Sequence, residues 1–195
     1  MNSLKMLLRI AMVVAASFAR AAEPPATAAV STADAEQVAR GKYLVSTSAC
    51  HDCHTPWVMT EKGPAPDMTR ALSGHPHDFL MPDPPKLPEG PWIAAFGATN
   101  TAWAGPWGVS FTANLTPDRE TGIGKWTTRN FVETIRTGRH LGRGREILPP
   151  MPIPVYQNFT DADLVAIYAY LQRIPAVRNR VPDPRPPAAA AVASN

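Results

Sequence analysis

Two cysteines three positions apart, followed at once by a histidine, constrain this chain more than any other stretch: Cys50-His51-Asp52-Cys53-His54. At helical pitch that spacing puts both thiols on neighbouring faces of one turn. C-x-x-C-H is the attachment signal of a covalent c-type haem. The thiols of Cys50 and Cys53 add across the haem vinyl groups, and His54 is read as the proximal iron ligand. His51 is a filler position. A structural zinc site wants four N/S ligands, usually in two close pairs, and the sequence holds no second cysteine pair. A thioredoxin-like dithiol expects a βαβ pattern around it, and none is visible here.

The N-terminus reads as an export signal. Lys5 and Arg9 precede an apolar stretch from Ile10 to Phe18, and Ala19-Arg20-Ala21 offers a small-x-small cleavage site. The stretch is short for a bilayer span. Residues 1–21 are therefore expected to be a cleavable signal peptide and the periplasm the destination; the alternatives are a retained N-terminal anchor and, separately, peripheral membrane association. Lys5, Arg9 and Arg20 leave with the signal, so the 19 Lys+Arg of the full sequence fall to match its 16 Asp+Glu. That near-neutral balance gives no support for nucleic-acid binding. With both cysteines committed to haem, none is left for a disulfide.

The remainder is of single-domain size. Residues 22–32, rich in Ala, Thr and Pro, read as a mobile leader, and 33–181 as the domain. Pro182-Asp183-Pro184-Arg185-Pro186-Pro187, followed mostly by alanine, opens what reads as a disordered tail over 182–195. Three helices are predicted. The first runs from about Ala33 to Thr47; Gly41 in its middle costs about 1 kcal/mol relative to Ala, which makes sense if another helix, most plausibly the third below, crosses closely there. The second opens at Thr127, with Trp126 and Phe131 as a hydrophobic staple, and ends at Gly138. The third follows Thr160, with Asp163 completing a variant of the capping box, and Leu164, Ile167, Tyr168 and Leu171 forming its stripe until Pro175.

Four blocks in this order resemble the class I cytochrome c fold. They are Ala39–Leu44 leading into Cys50–His54; Asn114–Asp118 running to Thr121–Trp126; Leu148-Pro149-Pro150-Met151-Pro152; and Thr160–Leu171 through Ile174-Pro175. The resemblance is closest to cytochrome domains found with bacterial membrane-linked dehydrogenases. It implies an all-α cytochrome c fold with three or more helices around one covalently bound haem c. Residues 55–111 fall outside the pattern as a long insertion rich in Pro, Gly and Trp, unusual for a compact domain.

The sixth ligand sets the chemistry, because a thioether raises the potential relative to imidazole. Met151 is best placed: prolines on both sides could hold its sulfur at the iron, and it matches the position that the resemblance implies. Met81 is the second candidate, and Met59 and Met68 are expected to be packing residues. His75, His77 or His140 would give a bis-His site. A proximal histidine usually donates its free N–H to a carbonyl. The resemblance assigns that carbonyl to Pro64, in Gly63-Pro64. Trp126 and Tyr156 carry polar handles that could reach propionates, with core packing the favoured role for each. Arg136, Arg139, Arg143 and Arg145 form a basic run that is a solvated face, a propionate clamp or a docking patch.

The function expected from these residues is electron carriage rather than catalysis. A saturated haem would pass single electrons between a dehydrogenase or quinone-linked donor and a terminal acceptor, with a dehydrogenase, oxidase or other cytochrome as redox partner. The alternative is a haem enzyme or gas-binding protein with an open sixth site. Trp92, Trp103 and Trp107 suit either an interface or a small core within the insertion.

Overall fold

The structure, a computed structural model, describes residues 31–187. The expected signal peptide 1–21, the leader up to residue 30 and the tail beyond residue 187 lie outside these residues. Among the described residues there are five α-helices: α1 (Thr32–Thr47), α2 (Cys50–His54), α3 (Thr128–Thr137), α4 (Ile153–Tyr156) and α5 (Asp161–Leu171).

Local chemistry sets the helix ends. The Ser31 side chain accepts from the Asp34 amide at 3.1 Å and starts α1. Thr127 and Asn130 cap α3 reciprocally, each side chain accepting from the other's main-chain N–H, and Gly138 closes that helix at φ 66°. Thr160 accepts from the Asp163 amide to start α5. The three longer helices then bury their apolar sides together. Leu44 and Val45 of α1, Phe131 and Ile135 of α3, and Leu164, Ile167, Tyr168 and Leu171 of α5 form one core. Leu164 and Leu171 are each 1% exposed, which contributes about 1.5–3 kcal/mol apiece. The Phe131 and Tyr168 rings meet with centroids 5.5 Å apart. No helix among the described residues is long and apolar enough to cross a membrane.

The expectation of an all-α chain is overturned. Two antiparallel sheets occupy the insertion. One pairs β1 (Trp57–Thr60) with β2 (Gly63–Pro66); the other has the order β3 (Ala95–Phe96), β4 (Ala102–Gly105), β5 (Gly108–Phe111). Both hairpins are tight. Thr60 pairs with Gly63 and Gly105 with Gly108, and the two closing glycines take φ values of +104° and +92°, which a side chain would disfavour. The strands are two to four residues long and rich in Gly, Ala and Pro, so none shows the alternation that marks a strand in sequence.

The tail also departs from expectation at its start. Val109 and Arg185 exchange both main-chain hydrogen bonds, at 2.8 and 2.9 Å, so residues 182–187 run against the edge of β5. The Arg185 guanidinium adds a bond to the Pro82 carbonyl at 2.9 Å.

Candidate haem site

A cavity of about 650 Å³ opens between the helical core and the chain that follows β5. Cys50, Cys53 and His54 line it from α2, and Met151 lines it from the proline-rich turn before α4. Leu164, Ile167 and Leu171 of α5 give it an apolar wall, and its volume falls within the range of cofactor pockets.

His54 is buried, and its Nδ1 lies 2.8 Å from the carbonyl oxygen of Ala113. A carbonyl only accepts, so Nδ1 carries the proton and the Nε2 lone pair is left free. Burial pushes the imidazole below its ordinary value, opposed by the bond to Ala113. The ring is therefore held neutral and in one tautomer, the state in which histidine ligates a metal.

The carbonyl that accepts from His54 is thus Ala113's and not Pro64's. Pro64 sits opposite Met59 in the β1–β2 hairpin and does not line the cavity. The hairpin commits that stretch to its own pairing. No side-chain signal could have singled out Ala113, since a backbone acceptor leaves no mark on residue type.

The two thiols are not bonded to each other. Burial pushes the Cys50 thiol up to about 11, and Cys53 also moves upward through burial. A redox-active dithiol requires the opposite shift. Among the described residues no three His, Cys, Asp or Glu side chains cluster closely enough to hold a bare metal ion.

Met151 is half-buried and held on both sides. Ser110 Oγ donates to the Pro149 carbonyl at 2.5 Å, and the Ile153 amide donates to the Met151 carbonyl at 2.8 Å. The competing ligands are placed elsewhere. Met81 lines a separate pocket of about 100 Å³ beside β3 and β4. His75 is fully buried, with Nε2 donating to the Phe79 carbonyl and Nδ1 facing the Thr101 hydroxyl, both at 2.9 Å. His77 is engaged by Asn179. Of the three, only His140 lines the cavity. Met59 and Met68, expected to pack, are 79% and 60% exposed.

Trp126 and Tyr156 both line the cavity, but their polar handles differ in availability. The Tyr156 hydroxyl donates to the Ser48 carbonyl, tying α4 to the turn ahead of α2, so its one donor is already used and the expected reach to a propionate is not supported. Trp126 packs edge-on against His140 with centroids 5.2 Å apart, and its carbonyl accepts from the Tyr168 hydroxyl. The basic run divides as well. Arg136 is a structural clamp, donating to Asp161 Oδ1 and to the carbonyls of Gln157 and Phe159. Arg145 reaches the cavity wall, joined there by Arg180, which sequence reasoning did not single out.

No family model matches the chain. It is 41% identical over 78 residues to one of the subunits of nicotinate dehydrogenase from Pseudomonas putida, covering 40% of this chain and 6% of that protein. It is 28% identical over 154 residues to the cytochrome c subunit of a quinone alcohol dehydrogenase from Gluconobacter oxydans, covering 77% of this chain and 25% of that subunit. Against the gluconate 2-dehydrogenase cytochrome c subunit of Pantoea cypripedii it is 39% identical over 67 residues, covering 34% of this chain and 15% of that subunit.

This chain is related to the cytochrome c subunits of dehydrogenases. That agrees with the resemblance read from its four sequence blocks. The chain spans at most 25% of the length of these three relatives. Cytochrome c relatives imply haem c, and the cavity suits it. Two thiols on one helical turn, a neutral imidazole with a free Nε2 and a thioether meet on one apolar space.

Proposed function

We propose that this chain is an exported, single-haem c-type cytochrome that moves single electrons. Its donor would be a dehydrogenase or quinone-linked protein, its acceptor another redox protein. One observation carries the reading: Cys50, Cys53, His54 and Met151 line a single apolar cavity. Haem c bound there supplies a one-electron iron couple.

The chain's own residues do the rest. The Cys50 and Cys53 thiols would tether the group, and His54 Nε2 and the Met151 sulfur would bind its iron. A saturated iron has no place for a substrate, which favours carriage over catalysis. The apolar wall from α5 limits water at the site and, with ligand choice, tunes the potential. Export is supported by the Lys5–Ala21 pattern and by haem attachment outside the cytoplasm in bacterial c-type cytochromes. The dehydrogenase partner is supported by the named roles of the relatives.

The test is the visible and near-infrared spectrum of the purified oxidised protein, with carbon monoxide added to the ferrous form. A low-spin spectrum with the Met–Fe(III) charge-transfer band and no carbon monoxide uptake is expected. A high-spin spectrum or ready uptake overturns the carrier reading in favour of an accessible sixth site. Replacing both cysteines, Cys50→Ser with Cys53→Ser, should abolish covalent haem.

A further inference from the structure

The Ala113 carbonyl that orients His54 lies in irregular chain after β5, where Asn114 is tied locally by accepting from the Thr116 amide at 2.9 Å and the Thr112 amide donates to the Thr101 carbonyl at 2.9 Å. The contact is gripped further from outside this segment. Residues 72–75 are bonded to both sides of the His54–Ala113 contact. The Gly74 amide donates to the His54 carbonyl at 2.8 Å, and the His75 amide donates to the Thr112 carbonyl at 3.0 Å. The Leu115 amide returns a bond to the Leu72 carbonyl at 2.9 Å.

Gly74 has φ +75°, and a Cβ there would stand 2.4 Å from the Thr112 oxygen and 2.7 Å from the Ala113 oxygen itself. Only glycine lets the two backbones approach so closely.

Asn179 then clamps this arrangement from the C-terminal segment. It is 1% exposed. Its Nδ2 donates to the carbonyls on either side of Gly74, Ser73 at 2.7 Å and His75 at 2.8 Å. Its Oδ1 accepts from the His77 amide at 2.9 Å. Asn114, next to Ala113, donates to the Asn179 carbonyl at 3.3 Å and to the Val177 carbonyl at 2.8 Å.

We propose that Gly74 and Asn179 are positioning residues for His54, holding the Ala113 carbonyl at the distance that sets the ring's orientation and basicity. The proposal rests on His54 being the proximal haem ligand. A carbonyl bonded to Nδ1 makes the imidazole a stronger donor through Nε2, and a stronger donor favours the oxidised iron. Loosening the carbonyl should therefore raise the midpoint potential.

The experiment uses the holoprotein. Covalent haem is first quantified in the wild type as the pyridine haemochrome. Midpoint potential, melting temperature and the hyperfine-shifted His54 resonances are then compared among wild type, Gly74→Ala, Asn179→Ala and Leu44→Ala. Leu44 is buried in the helical core and does not line the cavity, so its truncation serves as the purely structural control. Gly74→Ala and Asn179→Ala should raise the potential and move the His54 signals, while Leu44→Ala should lower the melting temperature with little change in either. Unchanged potentials and His54 signals in the first two overturn the positioning role and leave the haem reading intact. A wild type without covalent haem overturns both.

If the two variants fail to fold, amide exchange in the wild-type holoprotein decides. The Gly74 and His75 amides should fall in the slowest class, and rapid exchange at both would sink the proposal.

Discussion

A Cβ on Gly41 would stand 1.9 Å from the carbonyl oxygen of Ala166, so α1 and α5 cross with their backbones in contact. Glycine in mid-helix costs about 1 kcal/mol of propensity relative to Ala, and here that cost is accepted to let α5 lie against α1. Gly41→Ala should therefore destabilise, because an overpacked contact typically costs about 1–3 kcal/mol and this one strikes backbone that cannot turn aside. A melting temperature lower than wild type by a few degrees or more is expected for the holoprotein. An unchanged or raised value would mean that the helices separate at little cost.

That crossing was legible from Gly41 and the Leu164–Leu171 stripe, and so were the ends of α3, since Thr127 and Gly138 act through local chemistry that residue type records. The insertion was not legible. Its strands owe their pairing to tight glycine turns and to partners across the sheet, not to alternating side chains. The site divides in the same way. Cys50, Cys53, His54 and Met151 announce themselves by type and spacing, whereas Ala113 acts through a main-chain oxygen and Asn179 through contacts made only after folding. Residues 182–187 misled for a related reason: proline-rich composition suits a disordered tail, but two main-chain bonds between Val109 and Arg185 are indifferent to composition.

The α1–α5 contact should also give stability a pH dependence. Arg40 donates to Asp163 at 3.0 Å through Nε and lies 2.9 Å away through its terminal nitrogen. The Arg40 bond, followed by that of Thr160, holds the Asp163 carboxyl below the ordinary value of 3.8. A depressed carboxylate contributes stability that is fully present above the unfolded value and is lost as pH falls through the folded one. Denaturant midpoints of wild type and Asp163→Asn should therefore differ at pH 6 and converge as the pH is lowered well under 3.8. Parallel curves across that window would show that the pair contributes nothing.

Removing residues 182–195 should be felt at the haem site. Pro182 and Asp183 form part of the cavity wall, and Arg185 bonds the same segment to β5. The truncated protein should keep covalent haem but melt lower and show a lower midpoint potential, since added water at the site favours the oxidised, more charged iron. Arg185→Ala should do far less. It loses the bond to Pro82 and a 3.5 Å contact with exposed Asp83, but keeps both main-chain bonds to Val109. Equal effects from the two changes would assign the strap's grip to the side chain and not to the backbone.

Met151→Ala tests the sixth ligand directly. Met81 is committed to the pocket beside β3 and β4, His75 has both ring nitrogens within hydrogen-bond distance of protein acceptors or donors, and His77 is engaged by Asn179. Of the candidates read from sequence, His140 is therefore the one left on the cavity when Met151 is removed. The variant should lose the Met–Fe(III) charge-transfer band, bind carbon monoxide in its ferrous form and show a lower midpoint potential, because the thioether's preference for reduced iron is gone. Covalent haem should be retained, since the Cys50 and Cys53 thiols do not depend on the sixth position. A variant that keeps the Met–Fe(III) band would move the ligand to another methionine, Met81 first, whereas a wild type and variant that are both low-spin without the band would move it to a histidine, His140 first, and His140→Ala would then be the variant that opens the iron.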